Sequence, residues 1–201
     1  LSLRNVEAWI SCQDKVLSKE FGEMLFTHFG LSGPIILTLS RVASLELEQG
    51  GHPVVHIDLK PALSHETLDH RVQRDFSKFQ KKQVQNALVE LLPNALILPL
   101  LALAGIDHGK PTHSITREER QRLVNILKNL EIKISGTRPL SEAIVTAGGV
   151  STREINPKTM ESKLVPNLYF AGEIIDIDGN TGGFNLQAAF STGYVAGTSA
   201  A

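Results

Sequence analysis

Residues 172–189 hold four glycines, two aspartates, one glutamate and two asparagines within eighteen positions. That composition is poor core material and suits backbone held close to something polar. Leu168-Tyr169-Phe170-Ala171 leads into the stretch and reads as a short buried strand. Glu173, just past it, is placed to accept hydrogen bonds from sugar-like hydroxyls, as acidic residues at strand ends do. Thr181, Gly182 and Gly183 would let a flat ligand reach the backbone. Phe184 to Gln187 would be the first turn of a helix, whose unpaired N–H groups favour a phosphate or a carbonyl-rich ring edge. A glycine-rich turn closed by Asx bonds from Asp176, Asp178 and Asn180 accounts for the composition equally well, and the residues alone leave the two open.

Elsewhere the side chains offer less. His28, in Leu25-Phe26-Thr27-His28-Phe29-Gly30, precedes a glycine turn where a polar group could face a ligand, and it is the one candidate acid or base; a histidine hydrogen-bonded at a strand end is the alternative. His52 and His56 could project near each other, while His65 and His70 fall on different faces of one helix. With one cysteine and no His-Glu-x-x-His pattern, no metal is expected. No Gly-x-Ser-x-Gly elbow, Walker loop or Gly-x-Gly-x-x-Gly occurs in these residues.

The elements that must position these groups follow from periodicity. Val6, Ala8 and Ile10 alternate with polar neighbours as a half-buried strand, and Lys15 to Thr27 continues in short extended pieces punctuated by Gly22. Ser32 is a candidate cap and Pro34 an early residue of a helix carrying Ile35, Leu39 and Val42, and Val55, Ile57 and Leu59 mark the next strand. From Pro61 the period becomes helical. Leu68, Val72, Phe76 and Phe79 define one helix, and Val84, Leu88 and Leu91 a second that stops at Pro93. A third, apolar nearly all round, runs from Asn94 to Gly105, and a fourth starts in the capping box Thr116 to Glu119. Alternation resumes at Ile132 and Ile134, and Ala143 to Ala147 reads as another strand.

The chain has 201 residues, 42% of them hydrophobic, enough to bury a core. A net charge of −1 gives no electrostatic argument for nucleic acid or an anionic membrane. The most apolar window, Ala95 to Ala104, is broken by Pro99 and falls short of the roughly twenty residues that span a bilayer. A lone cysteine, Cys12, excludes an internal disulfide and suits the cytoplasm. Residue 1 is a leucine already inside a strand pattern, so a piece of a longer protein is expected.

Two sets of segments carry a family resemblance. Thr146 to Val150, Thr159 to Lys163, Leu168 to Glu173, Asp176 to Asn185 and Gln187 to Gly193 form one, and Leu25 to Pro34 the other. Together they closely resemble the bacterial YhiN/BaiN-like flavoproteins, and they span the chain in order. The resemblance implies the C-terminal portion of an FAD-dependent oxidoreductase with the glutathione-reductase type of FAD fold, transferring hydride through flavin to or from an unknown small-molecule substrate, with NAD(P)H as a candidate donor. The implied class is α+β. A β-barrel-like domain (1–60 and 130–165) carries an inserted four-helix domain (61–129), and 166–201 supply the C-terminal strand and helix of an incomplete Rossmann-like FAD domain. Gly172 and Glu173 would then meet the ribityl and phosphate side of FAD, Gly182, Gly183, Phe184 and Asn185 the isoalloxazine side, and Asn180 and Thr181 would complete the cofactor-binding set. The dinucleotide fingerprint is absent, so the missing N-terminal half is the expected intramolecular partner, and this portion alone is expected to hold FAD weakly and be inactive. A non-catalytic binding or scaffolding module that keeps the family's shape is the competing reading.

Overall fold

Alternation along the first strand sets the sheet. β1 (Ser2–Cys12) turns Ala8, Ile10 and Cys12 inward and Glu7, Trp9 and Ser11 outward; at its start the step from Leu3 to Val6 breaks the period. A bulge lies there, with Asn5 at φ 53°, and keeps both Leu3 and Val6 buried. β2 (Lys15–Phe26) pairs antiparallel with β1 through a two-residue loop, Gln13-Asp14, both at positive φ (49° and 61°), the backbone of a type I′ hairpin. The computed structural model describes residues 1–180 and 183–201, which divide into two compact units, Leu1–Thr137 and Arg138–Ala201.

In the first unit β3 (Leu31–Ser32), β4 (Val54–Asp58) and β5 (Leu130–Lys133) complete an antiparallel sheet of order β3-β2-β1-β4-β5. Leu1 and Phe26 from one end of that order, and Leu130 and Ile132 from the other, line a single cavity of about 400 Å3. The sheet therefore curls toward a half-barrel rather than lying flat. Against it packs α1 (Pro34–Glu48), burying Ile35, Leu39 and Ala43. Gly33 makes that entry possible: at φ +93°, a Cβ there would sit 2.9 Å from Met24 Cα and 3.1 Å from Leu25 N.

Helices follow β4: α2 (His65–Lys78), α3 (Val84–Ala87), α4 (Asn94–Leu103) and α5 (Arg117–Lys128). Ser64 caps α2 by accepting from Thr67 N, and Thr116 and Glu119 close a reciprocal capping box on α5. Leu68, Val72, Leu100, Leu101, Leu123 and Leu127 join Ala8, Ile10, Val55 and Ile57 in one apolar cluster, so sheet and helices share a core. Full burial of each large side chain contributes about 1.5–3 kcal/mol. The Asp58–Lys128 pair (2.6 Å) is buried beside it, with Lys128 Nζ also donating to the Lys60 and Leu63 carbonyls, so the ammonium is fully engaged.

The second unit is held by single bridges. Val150 pairs with Ile175, Ile155 with Ser162 and Glu161 with Tyr169, around a small cluster of Ile155, Met160, Ile175 and Ala196. Its one long element is α6 (Phe184–Ala200).

Several local expectations give way. β2 is one continuous strand of twelve residues: Gly22 stays paired, with Val6, at the edge of the β1 bulge and does not end the strand. Ser32 is a strand residue, and α1 begins after Gly33 with no side-chain cap. α3 is a single turn, because residues 88–92 fold into tight turns that bury Leu88, Leu91 and Leu92 ahead of Pro93. Pro93, not Asn94, precedes α4, and Leu98 and Leu103 on that helix remain exposed, so it is not covered all round. Residues 143–147 form no strand, since no ladder partner meets them, and Ile144 is exposed. Leu168 is exposed too, and only Tyr169 of that run makes a bridge.

Candidate functional site

The Gly172–Ala189 stretch is built by three ties. A turn of 3-10 helix, Gly172–Ile174, opens it. Gly172 N donates to Thr192 Oγ1 (3.0 Å), and the same hydroxyl donates to Ala188 O (2.7 Å), which fastens the turn to the second coil of α6. Asn185 closes the other end: its Oδ1 accepts from Gly179 N (2.7 Å) and its Nδ2 donates to Gly179 O (2.9 Å). Both faces of that amide are thus used in shaping the loop.

Residues 146–150 form the floor beneath. Val150 N donates to Ile174 O (2.8 Å) and Asp176 N donates to Val150 O (2.9 Å), a one-residue parallel ladder. Gly149 lets it form, because a Cβ there would lie 2.3 Å from Ile174 O. Glu173 reaches across the same contact. Its Oε1 accepts from Thr146 N (2.8 Å) and Thr146 Oγ1 (3.1 Å), and these donors, the backbone N–H first, hold the carboxyl below the usual glutamate range. Glu173 therefore stays ionised to lower pH, with its second oxygen outside these bonds.

α6 begins at Gly183 (φ 85°) with no side-chain cap and no acidic residue in its first turn. Among the described residues no side chain caps its leading N–H groups, and with the positive dipole end this arrangement attracts negative charge. Added Cβ atoms at Gly172 and Gly183 would meet nothing within 4 Å among the described residues, so both positions are open on that side. Phe184 stands 64% exposed beside that end, and Asn180 is exposed. The stretch thus offers an anion-attracting helix end, a carboxylate and open backbone. These fit a large ligand with one polar, electron-rich edge, as a flavin has. Thr181 and Gly182, expected in the same group, lie outside the described residues.

His28 lies in the first unit, exposed, its ring packed edge-to-face on Phe29 with the centroids 5.0 Å apart. It is not hydrogen-bonded within a strand end. His56 is the histidine the structure builds around: Nε2 meets Ser11 Oγ at 2.7 Å, Nδ1 meets Asn129 Oδ1 at 2.8 Å, and the ring stacks on Trp9 at 5.1 Å. A Ser-His-Asn relay has the outline of a nucleophile and its base. Ser11, however, lies within β1 between two paired strands, so the neighbouring N–H groups are committed to the ladder and unable to stabilise an oxyanion. The trio locks the sheet to the end of α5. Sequence reading missed it because Ser11, His56 and Asn129 stand far apart along the chain; the strand alternation that puts Ser11 and His56 on one face was the usable signal. Thr146 and Thr192, whose bonds hold the candidate loop, were likewise not singled out.

Among the described residues no group of three His, Cys, Asp or Glu side chains is placed to hold a metal ion, and no helix is long and apolar enough to cross a membrane.

Comparison with known proteins adds to this geometry. The chain is 33% identical over 187 residues to a 3-dehydro-bile acid delta(4,6)-reductase of Clostridium scindens, covering 93% of this chain and 46% of that protein. It is 34% identical to ribosomal RNA dihydrouridine synthases of Haemophilus influenzae (87% of this chain, 41% of that protein) and Escherichia coli (85% and 40%). The chain thus spans less than half the length of these relatives. Residues 1–145, the curled sheet and its helices, match the HI0933-like protein barrel and H2TH domain, and with that match over most of its length the chain belongs to the HI0933-like family, to which the YhiN/BaiN-like resemblance had pointed.

Proposed function

We propose that this chain is the C-terminal portion of an FAD-dependent oxidoreductase. The observation that carries the reading is the N-terminus of α6, which among the described residues has no side-chain cap and is tied through Asn185 to Gly179, on the same stretch that carries Glu173 and the open glycine positions 172 and 183. Bound there, FAD would supply hydride transfer. Gly172 and Glu173 take its ribityl and phosphate side; Gly182, Gly183, Phe184 and Asn185 line the isoalloxazine side, with Asn180 and Thr181 completing the set. Asn185 acts by fixing the loop, since its amide is already spent on Gly179. Glu173 has one carboxylate oxygen engaged by Thr146 and offers the other to a hydroxyl. The dipole of α6 favours a reduced flavin carrying negative charge. His28 is the acid or base to mutate first.

The relatives' names point to one reaction type. A delta(4,6)-reductase and a dihydrouridine synthase are both named for adding hydrogen across a carbon–carbon double bond. We extend that chemistry to this protein, with NAD(P)H as the donor. The net charge gave no argument for nucleic acid and none was expected as a partner, but two of these relatives are named for ribosomal RNA, so RNA stands beside small molecules as a substrate class. The division into a barrel (1–60 and 130–165), a four-helix insertion (61–129) and an FAD-domain end (166–201), in a cytoplasmic protein, belongs to the same proposal.

The test is the colour and flavin content of the full-length protein. Purified protein should show oxidised-flavin absorbance that bleaches on reduction, and Gly183→Asp, which puts a carboxylate at the α6 end, should lower flavin stoichiometry at least tenfold. A colourless protein that takes up no added FAD would leave the binding-module reading in its place.

A further inference from the structure

The near-zero net charge conceals a local excess. Within residues 71–82, Arg71, Arg74, Lys78, Lys81 and Lys82 face a single acid, Asp75. Arg71 is bound to Asp75 (2.8 Å), and Lys78 to Glu90 (2.8 and 3.0 Å). Arg74, Lys81 and Lys82 are exposed and make no ion pair among the described residues. Glu90 shows how the charges converge: its carboxyl is held below the usual range first by the Lys78 hydrogen bond and then by the charges of Lys78, Arg71 and Lys82. Glu90 thus sits in the field of three cations, of which Arg71 is paired with Asp75.

The turn carrying these groups is firmly held. Lys82 N donates to Phe79 O (2.8 Å) and Thr112 N to Lys82 O (3.0 Å), while the buried Thr112 hydroxyl donates to Phe79 O (2.8 Å). The Lys78 and Lys82 ammoniums lie 4.9 and 4.5 Å from the Phe79 ring centroid, which restrains two otherwise mobile side chains. A helix C-terminus favours basic residues, and that accounts for Lys78 at the end of α2. Lys81 and Lys82 lie beyond the capping residue Phe79, where the dipole argument does not reach. The exposed amides of Gln80, Gln83 and Asn86 interleave with them, each pairing a donor with an acceptor as base edges and sugars require.

We propose that the turn between α2 and α3, with Arg74, Lys78, Lys81 and Lys82, is an RNA-binding surface that grips the phosphate backbone of a substrate RNA. The proposal rests on RNA being a substrate class for the reduction described above, yet its measurement involves no flavin, so the two readings fail separately. Binding of a fluorescein-labelled oligouridylate to the full chain is followed by anisotropy across a salt series. Lys81→Ala/Lys82→Ala should weaken binding about tenfold and flatten the slope of log affinity against log salt by about 1.4, from about 0.7 per lost single-strand phosphate contact. Lys81→Arg/Lys82→Arg should restore most of it. The control Arg4→Gln/Lys15→Gln/Lys133→Gln, on the sheet, should leave affinity within about twofold. Unchanged binding in the alanine pair, equal loss in the control, or equal affinity for polyglutamate would each overturn the proposal, the last in favour of an acidic protein partner. Thermal melts of the alanine pair, whose side chains make no ion pair, should match the parent and so exclude unfolding as the cause.

Discussion

The two units of this chain stabilise themselves by different means. In Leu1–Thr137 a continuous apolar cluster joins sheet and helices, and the caps at Ser64 and Thr116 satisfy helix ends locally. In Arg138–Ala201 four buried residues and a few isolated bridges do the work, and α6 leaves Phe184, Phe190 and Tyr194 64, 72 and 75% exposed. The first unit is organised by burial, the second by hydrogen bonds that shape loops. Loops built that way hold backbone open for a ligand, whereas a packed core cannot.

Core truncation probes that contrast most strongly. Leu123→Ala, in the middle of α5 and fully buried, should cost about 3–5 kcal/mol, read by urea unfolding through the fluorescence of Trp9, the only tryptophan. Ile175→Ala, buried in the small cluster, should cost about 2 kcal/mol, read as faster proteolysis at Arg153 and Lys163, with the Trp9 transition unmoved. Equal costs, or a Trp9 shift in the second variant, would show that the units share stability. The next test compares two glycines. Gly33→Ala and Gly149→Ala each force a Cβ against backbone at positive φ and should cost about 2–3 kcal/mol, the first seen in the Trp9 transition and the second only in proteolysis of the second unit. Smaller still is the cap: Thr116→Ala should cost about 1 kcal/mol and act on the first unit alone.

What could be read beforehand follows the same division. β1, β4, β5, α2, α5 and the capping box were legible because a shared core imposes a strict period on the residues that face it. β2 was harder to see, since Lys15, Val16, Lys19, Phe21 and Glu23 are exposed and carry no apolar rhythm; its length is set by pairing with β1. The Gln13-Asp14 turn lacks the usual glycine. In the second unit, local pattern misled: Ala143 to Ala147 has strand-like composition, but a strand also needs a ladder partner, and Thr146 is instead held to Glu173. The loop at the start of the Gly172–Ala189 stretch was visible from composition, whereas the Thr192 and Asn185 ties that shape it depend on contacts no periodicity encodes.

The smallest effect separates two glutamates. Glu119, in the first unit, is lowered chiefly by its bond from Lys110 and then by the Thr116 N–H, with Lys110 and Arg122 adding charge. Glu173, in the second, is lowered only by the neutral donors of Thr146. In both, the folded state favours the carboxylate, so the stabilisation is fully present above the ordinary glutamate pKa and is lost as pH falls through the depressed folded value. Salt distinguishes them. Mobile ions screen the charge at Glu119 and leave a hydrogen bond between neutral donors and carboxylate nearly untouched. Carboxyl titration by NMR at low and high salt should therefore raise the Glu119 midpoint and hold that of Glu173 still. Thr146→Val, which removes the hydroxyl but keeps the N–H, should move Glu173 only part of the way back. A Glu173 midpoint that follows salt would reveal a cation near the loop and overturn the contrast, whereas one that returns fully in Thr146→Val would show that the hydroxyl, not the backbone, holds the carboxylate.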